Sequence, residues 1–326
     1  MTAEPDRAVL GLDVGGTTTK ALLVDVAGRV LVEDVRPTPA GPDPVGHLAS
    51  ELDRLRAVAT GRGLTVVGAG VVTPGLIEES TGTVHYASNL GWRDLPLRSA
   101  LQDRVAVPVT TGHDVRAAGL AERLLGAARG VDDVLLLTLG TGIAAALVSG
   151  GSEVTGGTGA AGEVGHAPVR PGGERCTCGQ RGCLEVYASG AGVARRYAAR
   201  TGVTRSAAEV VARLGADDDA TAVWADATSA LADALVTATL LLDPSVVVLG
   251  GGLARAGSAL VDPVAEGLAA GLTWRAAPPV RLTPLGPAAG CLGAAAMAMA
   301  HAGLAGLLAD WPAPQPRPSS SVVVTS

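Results

Sequence analysis

The chain has 326 residues, enough for two domains that each bury a core, and a formal net charge of -6. That charge argues against a general nucleic-acid or anionic-membrane partner, and the first residues lack the basic-then-apolar pattern of a secretory signal. With 45 Gly and no Phe, the core must come from Ala, Val and Leu brought together by close backbone approach.

Val9 to Val14 is a short apolar run closed by Gly15-Gly16-Thr17-Thr18-Thr19-Lys20. A second run covers Ala21 to Val26, a turn falls at Ala27-Gly28, and a third run covers Val30 to Val35. The pattern predicts strand, glycine turn, strand, turn, strand. Two glycines followed by hydroxyls can aim backbone N–H groups at a phosphate. Asp13, at the strand end, can hold a magnesium ion directly or through water. An ordinary glycine-rich hairpin is the plainer alternative.

A helix is predicted from Pro44 to Arg62, a strand from Val66 to Val72, and short strands at Leu76 to Glu78 and Thr83 to Tyr86 around the Thr73-Pro74-Gly75 turn. Asn89-Leu90-Gly91-Trp92 follows, then a helix to Arg104. Val107 to Thr111 reads as a strand ending at Gly112-His113-Asp114, and Val115 to Leu125 as a helix. Val134 to Leu139, Gly140-Thr141-Gly142 and Ile143 to Ser149 then repeat the opening pattern. Two strand–Gly/Thr–strand units about 125 residues apart suggest a duplicated domain, since solenoid repeats are shorter. Facing loops of this kind would clamp a phosphate between two lobes.

Helices are predicted over Val186 to Arg200, Ala207 to Leu214 and Asp217 to Leu242. The strand Val246 to Leu249 leads through Gly250-Gly251-Gly252 to a helical pattern from Ala256 to Leu272, which would set a helix N-terminus at a nucleotide. Residues 288 to 309 carry no charged side chain but are rich in Ala and Gly, which predicts a buried helix packed through small residues rather than a membrane span. From Trp311 to Ser326, four prolines and a serine run predict a disordered tail.

Three of the four cysteines lie within eight positions, at Cys176, Cys178 and Cys183, ten or more residues past His166. Three thiolates and an imidazole form a standard tetrahedral zinc (Zn2+) set. Glycines between them allow tight turns. A disulfide would leave one cysteine over, so metal-binding thiols in a reducing cytoplasm fit better. Glu163 and Glu185 flank this loop, so a metal there would stiffen a segment that presents carboxylates.

Taken together, these motifs resemble those of the ROK family (repressors, open reading frames and kinases) of the actin–hexokinase ATPase superfamily. The resemblance rests on Asp13 to Lys20, Thr73-Pro74-Gly75, Asn89 to Trp92, Leu139 to Ile143, Gly162 to His166, Cys176 to Glu185 and the triple glycine at 250, in family order over residues 9 to 305. It implies an α/β, two-lobed fold of duplicated ribonuclease H-like halves with a zinc loop. The lobes would span 1–115 and 116–310, with the last helix free to pack back on the first lobe. It also implies transfer of the ATP γ-phosphoryl to a hexose hydroxyl, glucose and its 6-hydroxyl by default. Aminohexose and N-acetylhexosamine kinases remain alternatives.

By the same resemblance Asp114 is the catalytic base, which could equally serve as the cap of the following helix. ATP and its Mg2+ would meet Asp13, Gly15, Gly16, Thr17, Thr18, Lys20, Gly140, Thr141, Gly142 and Gly251. The sugar would meet Gly75, Asn89, His113, Asp114, Glu163, His166 and Glu185, and zinc would take His166, Cys176, Cys178 and Cys183. Members are commonly homodimers or homotetramers.

Two departures stand out. Ala144 to Ala146 replace glycine after the second loop, at a cost of about 1 kcal/mol if a positive φ is needed there. His113 stands where family hexose kinases usually have Asn, and its ring could accept from a substrate amino group and so favour an aminohexose. A ROK repressor would need a DNA-binding segment ahead of Asp13, for which there is little room, and a silent sugar sensor would not need Asp13, Lys20 and Asp114 together.

Overall fold

The computed structural model describes residues 6–39 and 41–312. In the first half, β1 (Arg7–Val14), β2 (Thr18–Asp25) and β3 (Val30–Pro37) form an antiparallel meander, followed by α1 (Pro44–Gly61), β4 (Thr65–Thr73), β5 (Leu76–Glu78), β6 (Thr83–Ala87), β7 (Trp92–Leu95), α2 (Leu97–Gln102), β8 (Val109–His113) and α3 (Asp114–Leu125). The second half runs β9 (Val134–Leu139), β10 (Ile143–Ser149), β11 (Ser152–Glu153), α4 (Leu184–Ala188), α5 (Gly190–Thr201), α6 (Ala207–Val211), α7 (Asp218–Leu242), β12 (Val246–Gly250), α8 (Ser258–Gly271), β13 (Val280–Leu282) and α9 (Ala289–His301).

The two main sheets have the same topology. One runs β3-β2-β1-β4-β8 and the other β11-β10-β9-β12-β13, each with an antiparallel meander joined to two parallel strands. That repeat is the structural form of the duplicated strand–glycine–strand pattern. A small β5-β6-β7 sheet is added to the first half.

The sequence pattern of α9 explains where it goes. Its Ala and Gly side chains cannot fill space, so its backbone must lie directly on its neighbours. A side chain at Gly11 of β1 would strike the Cys291 carbonyl, one at Gly70 of β4 the Ala294 carbonyl, and one at Gly293 would strike Ala117 of α3. The helix is thus buried between α3 and the first sheet, although it follows the second sheet in the chain. One apolar cluster joins Val9, Leu22 and Val24 to Leu136, Val148 and Val248 around α3 and α9.

α7 is the one helix among the described residues that is long and apolar enough to cross a membrane. It opens on the Asp217 cap and lies against α4, α5 and α8. Pro263 inside α8 has no N–H for the Ala259 carbonyl, and the Trp224 indole of α7 donates to that oxygen instead, at 2.8 Å.

Several expectations need correction. Residues past Trp92 form β7 before the short α2, and β13 was not foreseen: strands of three or four residues carry too little periodicity to read. The helix predicted from Val186 breaks at Ser189, whose extended backbone and hydroxyl cap α5 by accepting from Gly192. The glycine triplet does not open α8 directly, because a 3-10 turn at Gly252–Ala256 intervenes. Trp311 is not part of a disordered tail: it is 1% exposed, lies on Gly28 and donates its indole N–H to the Val26 carbonyl at 3.2 Å. Residues 313–326, the rest of that expectation, lie outside the described residues.

Candidate active site

The first glycine loop is the β1–β2 turn. Gly15 donates to the Thr18 carbonyl at 3.0 Å, and the Thr38 hydroxyl closes the turn by donating to the Gly15 carbonyl at 2.6 Å. Asp13 and Lys20 are cross-strand partners, with Nζ 2.9 Å from Oδ2. Lys20 is the single lysine of the sequence, the other 24 of its 25 basic residues being Arg. Gly290, in the first turn of α9, leaves space for Asp13, whose Oδ2 would be 2.8 Å from any Cβ there.

The second loop is the β9–β10 turn. Gly140 donates to Gly142 at 2.9 Å, and its carbonyl accepts from Gly190 at 2.8 Å. Gly251, at φ 82°, crosses the end of β9 so closely that a Cβ would lie 2.5 Å from the Leu139 carbonyl. Both loops open on one cleft of about 330 Å3, lined by Asp13, Gly15, Lys20, Asp114, Gly140, Thr141 and Gly251. Ala144 to Ala146 lie in regular β10 without positive φ, so the cost foreseen there does not arise. Gly119 of α3 makes the room, since a Cβ there would lie 2.7 Å from that of Ala146.

Asp114 is the first residue of α3 and the cap is His113, which corrects the capping alternative. The Val115 N–H is shared by Asp114 Oδ1 at 2.7 Å and His113 Nδ1 at 3.1 Å. Burial raises the carboxyl of Asp114, opposed by the Val115 bond and by the charges of Lys20 and Arg116. Burial likewise raises Asp13, opposed by Lys20 and reinforced by Asp114. Two carboxyls held above their ordinary range beside one ammonium can hold a cation and accept a proton.

His113 is 7% exposed, and burial, then Arg116, lowers its pKa to about 4. Its Nδ1 lies 3.1 Å from the Val115 nitrogen and 3.1 Å from Asp114 Oδ1, so the state of that carboxyl decides which ring nitrogen carries the proton. The shift carries a stability consequence. The unfolded chain takes up a proton on this imidazole near pH 6.5 and the folded chain only near pH 4, so stability is complete above 6.5 and falls as pH drops towards 4. Between pH 7 and pH 5 the loss is about 2 kcal/mol. His113→Asn should flatten that part of the Tm–pH curve; an unaltered slope in the variant would assign it to other groups.

None of the remaining sugar candidates lines that cleft, and each is placed by its own contacts. Gly75, at φ 104°, follows β4 and lies against Tyr86 of β6. Asn89 is exposed and packs on Gly16, 2.9 Å from where a Cβ would stand, so it adjoins the first glycine loop. Glu163 is exposed, and its charge acts on His113. Glu185, in the first turn of α4, accepts the Ile143 N–H on Oε2 at 3.0 Å, so one of its oxygens is already engaged at the second glycine loop.

His166, Cys176, Cys178 and Cys183 place four ligand atoms within 4.8 Å of one another. Cys176 Sγ lies 3.8 Å from His166 Nδ1, and the sulfurs of Cys178 and Cys183 are 3.7 Å apart. A tetrahedron of Zn–S bonds near 2.3 Å has edges of about 3.8 Å, so the set fits zinc.

Sequence reasoning missed Glu122, Arg116 and Glu79. Glu122 is fully buried, borders the cleft, and accepts from the Thr283 hydroxyl and from Ala127 N–H at 2.8 Å. It stands eight residues after Asp114, on the same helical face, which is the signal that was available.

The ROK family model matches residues 9–301. The chain belongs to the ROK family. A glucokinase of Halalkalibacterium halodurans is 35% identical over 314 residues, 88% of this chain and 94% of that protein. A ROK hexokinase of Thermus thermophilus superposes with a TM-score of 0.80 at 35% identity, covering 90% of this chain and 98% of the other. A ROK glucokinase of Streptomyces griseus, solved with glucose and AMPPNP, gives a TM-score of 0.76 at 31% identity, covering 90% and 99%. The match to these ROK family members agrees with the duplicated sheets and the two glycine loops.

Proposed function

We propose that the protein is an ATP-dependent hexose kinase that phosphorylates the 6-hydroxyl of glucose. The observation that carries the reading is Asp114 at a helix start, in one cleft with both glycine loops and the Asp13–Lys20 pair. Asp114 takes the proton of the attacking hydroxyl, and its burial-raised pKa makes it a better base than an exposed carboxylate. Backbone N–H groups of the two loops and Lys20 orient the phosphates and offset charge that builds on them. Asp13 would hold the magnesium that enters with ATP; that ion supplies charge neutralisation on the transferred phosphate.

Glu163, His166, Gly75 and Asn89 would bind and orient the sugar, with Glu185 doing so through its free oxygen while its other oxygen steadies Ile143. His166 and the three cysteines would hold zinc, whose role is structural because four protein ligands leave no open position. Residues 1–115 and 116–310 would act as lobes that close on the sugar and exclude water. Clustered thiols suit a reducing cytoplasm, and the exposed Leu241 and Trp274 give apolar surface for assembly into a homodimer or homotetramer.

ADP release against a panel of hexoses and aminohexoses tests the substrate. Glucose should give the highest kcat/KM. A preference of tenfold or more for an aminohexose or N-acetylhexosamine would replace the acceptor, and no ADP release with any sugar would leave a silent sensor.

A further inference from the structure

Arg116 lies two residues past Asp114 in α3, is 4% exposed, and belongs to none of the motifs that mark the site. All three nitrogens of its guanidinium are engaged. Nε and Nη2 donate to Oε1 of Glu79 at 3.0 and 2.8 Å, Nη1 donates to the Gly159 carbonyl at 3.1 Å, and Nε also lies 2.9 Å from Oε1 of Glu153. Glu79 follows β5, in the segment that leaves Gly75. Glu153 and Gly159 belong to the segment that leads to Glu163. The Glu79 oxygen that meets the guanidinium also accepts the His113 N–H at 3.3 Å.

The two segments also touch, since a Cβ on Gly159 would lie 3.2 Å from the Ile77 carbonyl. Stability alone gives little reason for such an arrangement, because buried ion pairs are often no better than apolar packing. What a planar fork supplies is direction: several acceptors are fixed relative to one rigid group. Here the acceptors come from both sides of the site, and the group stands on the helix that begins with Asp114.

We propose that Arg116 is a positioning residue that ties the segment after Gly75 to the segment before Glu163 and so sets where the hexose-binding groups stand relative to Asp114. The kinetic half of this rests on the hexose-kinase reading; the mechanical half does not. Glu79 is the informative position, because it lies outside the segment it is said to hold.

The test pairs amide hydrogen exchange with steady-state kinetics on the full chain, for wild type, Glu79→Ala, Arg116→Lys, and Arg116→Met combined with Glu153→Gln. The last pairing avoids leaving two carboxylates around a lost cation. The Ala161 amide, bonded to the Thr155 carbonyl at 3.1 Å, reports on the distant segment. Its exchange should quicken at least tenfold in Glu79→Ala and in the double variant. Hexose KM should rise about tenfold in both, with ATP KM within twofold and kcat within threefold of wild type, and Arg116→Lys should recover part of the loss.

Unchanged Ala161 exchange in Glu79→Ala would overturn the tie, whatever the enzyme turns over. Faster exchange with an unaltered hexose KM would overturn the positioning role. Wild type without turnover on any hexose would sink the kinase reading separately, and the exchange result would still decide the tie.

Discussion

Asp114→Asn should lower kcat by about a hundredfold or more and leave hexose binding within a few-fold of wild type. The loss follows from removing the group that accepts the hydroxyl proton, an effect of about 10^2 to 10^4 in rate for general bases. The fold should survive, because an amide oxygen can still accept the Val115 N–H that Asp114 Oδ1 accepts at 2.7 Å, and His113 still caps the helix. Since the interaction is made in the transition state, the change belongs in kcat rather than KM.

The wild-type rate should also fall as pH drops through the Asp114 pKa, with a midpoint above the ordinary carboxylate range because burial raises that group. The variant should lose this acid limb. A variant that keeps more than about a tenth of wild-type kcat, or that keeps the limb, would remove Asp114 from the base role.

The parts of the structure that were legible share a cause. β1, β2, β9 and β10 are apolar runs cut by glycine turns, and the turn glycines are the ones that carry the loops. The repeat of that pattern foretold two sheets of one topology. The Cys–His cluster was legible because spacing alone brings Cys176, Cys178 and Cys183 together.

What was not legible depends on partners distant in sequence. Trp311 looked like the start of a proline-rich tail because nothing near it shows the Gly28 and Val26 surface that receives it. Arg116 carries no signal of its own in the sequence, because Glu79, Glu153 and Gly159 meet it only in the fold. His113 invited a substrate role, and only the fold shows that its Nδ1 sits between the Val115 N–H and Asp114 Oδ1. Glu185 was assigned to the sugar alone, whereas the structure gives it a second duty that changes what the metal should do.

Removing the metal should weaken nucleotide binding as well as sugar binding. From the sequence, the cysteine loop lies against the sugar groups only, and chelation would be expected to spare the phosphate loops. The structure corrects this. Cys183, fully buried, immediately precedes α4, whose first turn sends Glu185 to the Ile143 N–H at 3.0 Å. The chain then bonds Gly190 N–H to the Gly140 carbonyl at 2.8 Å. The segment that follows the cysteines is therefore bonded at two points to the second glycine loop and the strand it opens. Without a cation, sulfurs 3.7 Å apart lose what favours their close approach, and the start of α4 loses its anchor.

A hydrogen bond to a charged group contributes about 1.5–3 kcal/mol, so losing the Glu185 contact should weaken nucleotide affinity by roughly tenfold to a hundredfold. Calorimetry with a non-hydrolysable ATP analogue, without sugar, on metal-loaded, chelated and zinc-restored protein measures it directly. The loaded protein should contain about one zinc per chain and the chelated form should expose three reactive thiols, while Cys291, buried in α9, stays protected. Less than about half an equivalent of zinc in carefully purified protein would count against the metal itself. Chelated protein that binds the analogue as tightly as loaded protein would show that the bonds through Glu185 and Gly190 do not carry the metal's effect to the nucleotide.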